Sequence, residues 1–365
     1  LLSQVEQYVE ENYRNKITLD DIADTMHVNR SYLSRFYKNK TGVNLFDAIL
    51  NKRIEAAKDY LRNTDMKTYG WELQIGWRDQ IGDFKYGAKL SLSDSQSKIL
   101  RYGNPTGSLS KYVEGELIGN IYGYTTIGIA KTDEEMQQHL ASLPNGGQSA
   151  LGSQWAAGDI MYADLNGDGK INNGSYTIND MGDMKKIGNS TPRFMTGINL
   201  DAAYKGWDLQ MFWQGVLKRD WWPGDKNMTF WGVTDGEWWS TSFKEHLDYF
   251  RTSENPLGEN LNSYYPRPIF NTKNNKSQTR YLQNAAYMRL KNIQVGYTFP
   301  KVWINKLMLQ NLRIFVSGEN LLTITSLSDT MDPETCGAGY QSTEQANGTV
   351  YPLAKTISFG LSVNF

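Results

Sequence analysis

"NTDMKTYGWELQIGW", residues 63–77, contains a change of period. Up to about Lys67 the chain reads as charged amphipathic helices. From Trp71 onward apolar and polar residues alternate. Trp71, Leu73, Ile75 and Trp77 share one face, and Glu72, Gln74 and Gly76 the other. A 3.6-residue period giving way to a two-residue period implies a helix running into a strand with two unlike faces. No linker separates them, so two physically different modules meet near Lys67–Tyr69.

Composition narrows the classes. The 365 residues suffice for two or three domains. A formal charge of -1 argues against a protein dominated by nucleic-acid binding. Aromatics reach 13%, with 11 Trp and 22 Tyr, while mean hydropathy is only -0.56. That pairing suits a carbohydrate-binding β protein, or a barrel whose strands show one face to lipid. No run approaches the roughly 18 apolar residues that a spanning helix needs. The single cysteine, Cys336, excludes an internal disulfide framework and a thiolate metal cluster. The opening "LLSQVEQYVEENYRN" lacks the basic, apolar and small-residue regions of a signal peptide.

Val5, Tyr8, Val9 and Tyr13 predict a helix over residues 2–14. Thr18 with Asp21 forms a capping-box variant, and Ile22, Ala23 and Met26 then face inward. "HVN" breaks that helix, and Arg30 or Ser31 starts another, with Tyr32, Leu33, Phe36 and Tyr37 on its apolar side. Gly42 ends it, and a long fourth helix follows. This is a helix-turn-helix, whose second helix can enter a major groove. Between Arg30 and Lys67 basic residues are about twice as numerous as acidic ones, which favours phosphate contact over a solvated bundle.

"YLSRFYKNKTG" and "RIEAAKDYLRNTDMK" resemble the first helix-turn-helix and linker helix of AraC-type transcription regulators. The resemblance implies that Ser31, Ser34 and Arg35 face bases and that Arg30 and Lys38 lie near phosphates. Arg35 would then be the main base reader. The family's second helix-turn-helix is replaced here by "TYGWELQIGW". Half of a bipartite reader binds weakly at physiological salt.

The alternation recurs in "FKYGAKLSLS", "RFMTGINLDAAYKGWDLQMFWQGVL", "LKNIQVGYTF", "NLRIFVSGENLLTIT" and "KTISFGLSVNF". Seven strands of about ten residues are long enough to cross a bilayer when tilted. Aromatics gather near their ends, as an interface girdle requires. A soluble sandwich with one face buried is the alternative. Taking the short connections 78–83, 204–207 and 300–311 as periplasmic makes 97–191, 218–285 and 326–354 external.

Stretches such as "GDIMYADLNGDGKIN", "RDWWPGD", "YYPRPIF" and "TRYLQNAAYMRLKNIQVGYTFPK" resemble the C-terminal part of SusC/RagA-type TonB-linked outer-membrane transporters. The resemblance covers nearly all of 68–365. It implies about seven of the roughly 22 strands of the family barrel, importing glycan or peptide fragments. It also implies a SusD-type lipoprotein, the TonB system, the barrel-assembly machinery and outer-membrane lipid as partners. The last strand, with Phe359, Leu361, Val363 and the terminal Phe365, resembles an outer-membrane sorting signal.

Two local motifs add chemistry. "DLNGDGKIN" has calcium-loop spacing: Asp164, Asn166, Asp168 and the Lys170 carbonyl at positions 1, 3, 5 and 7, with Gly169 at 6. Ser175 at position 12 offers no bidentate carboxylate. Asp180 or Asp183 can replace it after a small insertion, with Asp183 favoured, and an Asx-rich turn is the plainer alternative. Trp221, Trp222, Trp231, Trp238 and Trp239 cluster in an external connection, where their faces can stack on sugars or pack within the loop. His27, His139 and His246 have no spacing partner for metal or triad chemistry, so an enzyme is not expected.

The expected protein is therefore a transporter fragment, outer-membrane by family, joined to a cytoplasmic DNA reader by an artificial or accidental fusion such as a mis-joined gene. The alternatives are a soluble DNA-binding regulator with a β-rich tail, and a secreted, calcium-bound glycan-binding sandwich.

Overall fold

Local signals set the helical part. The computed structural model describes residues 1–12, 17–63, 65–234, 242–336 and 352–365. Helix α1 spans Leu2–Asn12, so Tyr13 lies outside the described residues. Helix α2, Leu19–Thr25, begins at a full capping box. The Thr18 amide donates to Asp21 Oδ2 at 2.7 Å, and the Asp21 amide donates to Thr18 Oγ1 at 3.2 Å. His27 takes a left-handed φ of 54° and breaks the helix. Asn29 then caps α3, Arg30–Thr41, which Gly42 ends at φ 81°. That conformation is nearly free of strain only for glycine. Helix α4 covers Leu45–Asn63. Val5, Val9, Ile22, Ala23, Leu33, Tyr37, Leu45 and Ile49 form the core of this unit. Leu33 and Tyr37, four residues apart, face inward, whereas Tyr32 is 54% exposed and stacks on Phe36 at the flank.

Seven antiparallel strands make the main sheet: β1 Asp65–Ile81, β2 Phe84–Arg101, β3 Arg193–Tyr204, β4 Trp207–Lys218, β5 Tyr287–Thr298, β6 Asn311–Thr325 and β7 Thr356–Asn364. They lie in chain order, each beside its predecessor, with β1 and β7 as open edges. The first strand starts at Asp65, inside the expected helical module, and β1 and β2 reach 17 and 18 residues. The short connections are 82–83, 205–206 and 299–310. Chain contacts divide the molecule into Leu1–Lys67 with Ile99–Asn104, and Thr68–Lys98 with Pro105–Phe365.

The long connections hold a core of their own. Tyr162, Trp231 and Tyr281 are fully buried there, with Met136, Ile160 and Ile171. Helix α5, Asp133–Ala141, and three two-stranded sheets brace this core.

Candidate functional site

On α3, residues 31, 34, 35 and 38 recur at three- and four-residue spacing and so share one helix face. Ser31, Arg35 and Lys38 are exposed and Ser34 is half-buried. Among the described residues, neither Arg35 nor Lys38 carries an ion pair. Arg30 differs: its guanidinium meets Asp20 on α2 at 3.0 Å. It is drawn toward the first helix of the motif, while Arg35 and Lys38, like Lys40 at the end of α3, have no ion pair among the described residues.

Across the sheet the register aligns residues by kind. One row runs Tyr86, Ala202, Leu209, Val295, Val316 and Phe359. The next runs Phe84, Tyr204, Trp207, Tyr297, Ile314 and Leu361. On the opposite face, Gly87, Asp201, Gln210, Gln294, Ser317 and Ser358 line up. A one-residue slip at any pair would mix the faces, and none occurs in these rows. The apolar side is uncovered: Trp77 is 64% exposed, Ile357 64% and Phe359 82%. The sandwich expectation therefore fails, because among the described residues the other sheets have only two strands each.

The polar face makes its own contacts. Arg313 on β6 crosses β5 to reach Asp208 on β4 (Nε–Oδ1 3.0 Å). Gly296 lies beneath that guanidinium, and a Cβ there would collide with Arg313 Nη2. Gly360 likewise makes room for the Phe315 ring. On β7, an open-edge strand, Phe359 and Leu361 are exposed and Val363 is half-buried, and Phe365 just past it is exposed.

Of the two roles open to the tryptophan cluster, its described members take packing within the loop. Trp231 is fully buried, its indole N–H donating to the Gly224 carbonyl at 2.7 Å, and Trp221 is 3% exposed. Neither can offer a face to a sugar. Trp222 packs edge-on against Trp231, and Trp238 and Trp239 lie outside the described residues.

The calcium-type loop closes on itself. Asp164 accepts from the Gly167 and Gly169 amides at 2.6 and 2.8 Å. Asn166 and Asp168 cap the amides of Asp168 and Lys170. Asp183, fully buried, accepts from Leu165 and Asn172 at 2.9 and 2.8 Å. Burial raises the Asp183 carboxyl, and the neighbouring Asp164 charge raises it further against those two amides. Two hard carboxylates thus sit together, a charge arrangement a divalent cation would relieve. Among the described residues no group of three or more His, Cys, Asp or Glu forms a metal cluster.

A further cluster had not been singled out. Asp159, fully buried, accepts from Arg267 Nε at 2.8 Å, Lys273 Nζ at 2.8 Å, Asn274 Nδ2 at 2.9 Å and the Ala156 amide at 2.9 Å. It ties the first long connection to the second. Burial acts to raise this carboxyl, but the bonds from Arg267, Lys273 and Asn274 prevail and hold it below the usual range. The available signal was an isolated charge within an aromatic run: Asp159 before "IMY", and Arg267 between the prolines of "YYPRPIF".

No family model matches the chain. It is 27% identical over 352 residues to TonB-dependent receptor P3 of Formosa agariphila, a match covering 90% of this chain and 32% of the relative. A 61-residue match, 33% identical, relates 17% of the chain to 29% of the bifunctional transcriptional activator/DNA repair enzyme AdaA of Bacillus subtilis. The RagAB peptide transporter structure superposes with a TM-score of 0.59 at 19% identity, over 83% of this chain and 30% of that one. The chain thus spans about a third of the receptors it matches. Its β-rich part is similar to the SusC/RagA-type TonB-linked transporters, and its helical part to helix-turn-helix regulators.

Proposed function

We propose that residues from about 68 onward are one section of the wall of a TonB-dependent outer-membrane transporter. That section supplies about seven of the roughly 22 strands of a closed barrel, which imports glycan or peptide oligomers. One observation carries the reading: apolar rows run unbroken across the sheet and stay uncovered. In water such a patch is a liability, while against lipid it is what a spanning strand needs. The long connections face outward from the cell, where a SusD-type lipoprotein would sit. TonB acts from the periplasm, and the barrel-assembly machinery reads β7, Thr356–Asn364. The Asp164–Asp183 pair holds calcium as a brace of the first connection.

The helical module is half of an AraC-type DNA reader, cytoplasmic in its chemistry, and its junction with the sheet is an artificial or accidental fusion, such as a mis-joined gene. Amplification from source DNA across codons 60–80 tests this. Absence of a product spanning the join supports mis-joining, and an intact single product counts against it. The exposed Ser31, Arg35 and Lys38 favour a second reading, a DNA-binding regulator with a β-rich tail. It requires purified chain to stay monodisperse without detergent while shifting a DNA probe. Aggregation that detergent reverses supports the transporter section instead.

A further inference from the structure

We infer that the connection between β5 and β6, residues 299–310, is a membrane-surface anchor that settles among anionic phospholipid headgroups. This rests on the lipid-facing reading of the sheet and extends it beyond the strands. The connection contains one α-helical turn, Lys301–Ile304, continued by a 3-10 turn at Asn305–Leu307, and the buried Ile304 pins it. Around that pin the apolar side chains point away from protein: Val302 is 77% exposed, Trp303 60% and Met308 88%. A soluble turn has no reason to present these three together.

Position identifies what covers them. Trp207 and Tyr297 belong to the apolar face, with rings 4.9 Å apart. Tyr297 meets Phe299 at 5.1 Å, and Phe299 meets Trp303 at 6.3 Å. A continuous aromatic path thus leads from the strands' outer surface onto the turn. Tyr and Trp favour the level where hydrocarbon gives way to headgroups. The turn is also fixed to the sheet, since the Gln310 amide donates to the Asn364 carbonyl at 2.8 Å.

Charge selects the headgroup. "FPKVWINKLMLQN" contains Lys301 and Lys306 and no acidic residue. Both lysines are exposed, and neither has a carboxylate partner among the described residues. Apolar side chains flanked by unpaired lysines suit an anionic bilayer surface, where each lysine strengthens partitioning about fivefold.

The test uses the full chain in vesicles of phosphatidylcholine with or without phosphatidylglycerol. In a Cys336→Ser background, one environment-sensitive dye is placed at Met308→Cys, at Ile357→Cys, level with the middle of β5, or at Phe270→Cys in a long connection. Nitroxide lipids labelled near the headgroup, nitroxide lipids labelled deep in the acyl chain, and aqueous iodide serve as quenchers. The anchor predicts headgroup-level quenching at 308, deep quenching at 357 and iodide quenching at 270. With phosphatidylglycerol, K301Q/K306Q weakens insertion at 308 about fivefold per lysine, and without it has little effect. Iodide quenching at 308 with deep quenching at 357 overturns the anchor alone. Iodide quenching at 357 overturns the transporter reading itself. Insertion at 308 that ignores phosphatidylglycerol overturns the choice of headgroup.

Discussion

The seven-stranded sheet and the connections above it draw on the same large apolar residues and place them in opposite ways. Trp77 and Phe359 on the sheet are 64% and 82% exposed, whereas Trp231, Tyr162 and Tyr281 in the connections are fully buried. A residue's place follows the solvent its segment meets. The connections fold as a water-exposed body does, with aromatics inside and buried charges paired. The sheet keeps its polar residues on the other face and leaves the apolar one to a different medium.

The largest effects separate the two regions. Trp231→Ala empties a packed site and should destabilise the connections by about 3–5 kcal/mol. Asp159→Ala strands Arg267 and Lys273 and should cost about 3–5 kcal/mol. Both losses should appear as lowered denaturation midpoints, with or without lipid. Ile357→Arg, level with the middle of β5, should cost about 2–4 kcal/mol in a bilayer. In water it should cost almost nothing, since Ile357 is already 64% exposed there. An Ile357→Arg effect independent of lipid would erase the contrast.

Two buried aspartates sharpen the comparison within the connections, through opposite signs of pH dependence. Asp159 is depressed, so its stabilisation is present above the ordinary carboxylate value and is lost as pH falls through the lower folded value. Asp183 is raised, so stability declines as pH climbs from the ordinary value through the raised one. Denaturation of Asp159→Asn and Asp183→Asn across the acid range should show each slope vanishing separately. Calcium bound at Asp164–Asp183 should flatten the Asp183 slope and raise the melting temperature, and chelation should undo both. The smallest effect is in the helical unit, where Asn29→Ala should cost about 1 kcal/mol of α3 stability.

What the sequence disclosed follows from the range of the interactions. The cap at Thr18 and the stop at Gly42 act within a few residues, and the two-residue period needs only the strand itself, so helices, strands and short turns were legible. Asp159 and Arg267 meet across 108 positions, and no local pattern couples them. The burial of Trp221 and Trp231 depends on that same distant packing, so composition could not distinguish a sugar platform from a core. Ring chemistry alone suggested the platform. The early start of β1 has a related cause. Asp65–Lys67 lack strong strand alternation, and their pairing in the sheet decides their conformation.

The most direct measurement is photolabelling of the full chain in vesicles by a diazirine carried on the lipid acyl chain, read residue by residue along β7. Contact between the sheet's apolar face and hydrocarbon predicts label on Ile357, Phe359, Leu361 and Val363, with Ser358, Gly360 and Ser362 unmarked. Equal labelling of both sets, or label confined to the polar set, would contradict it.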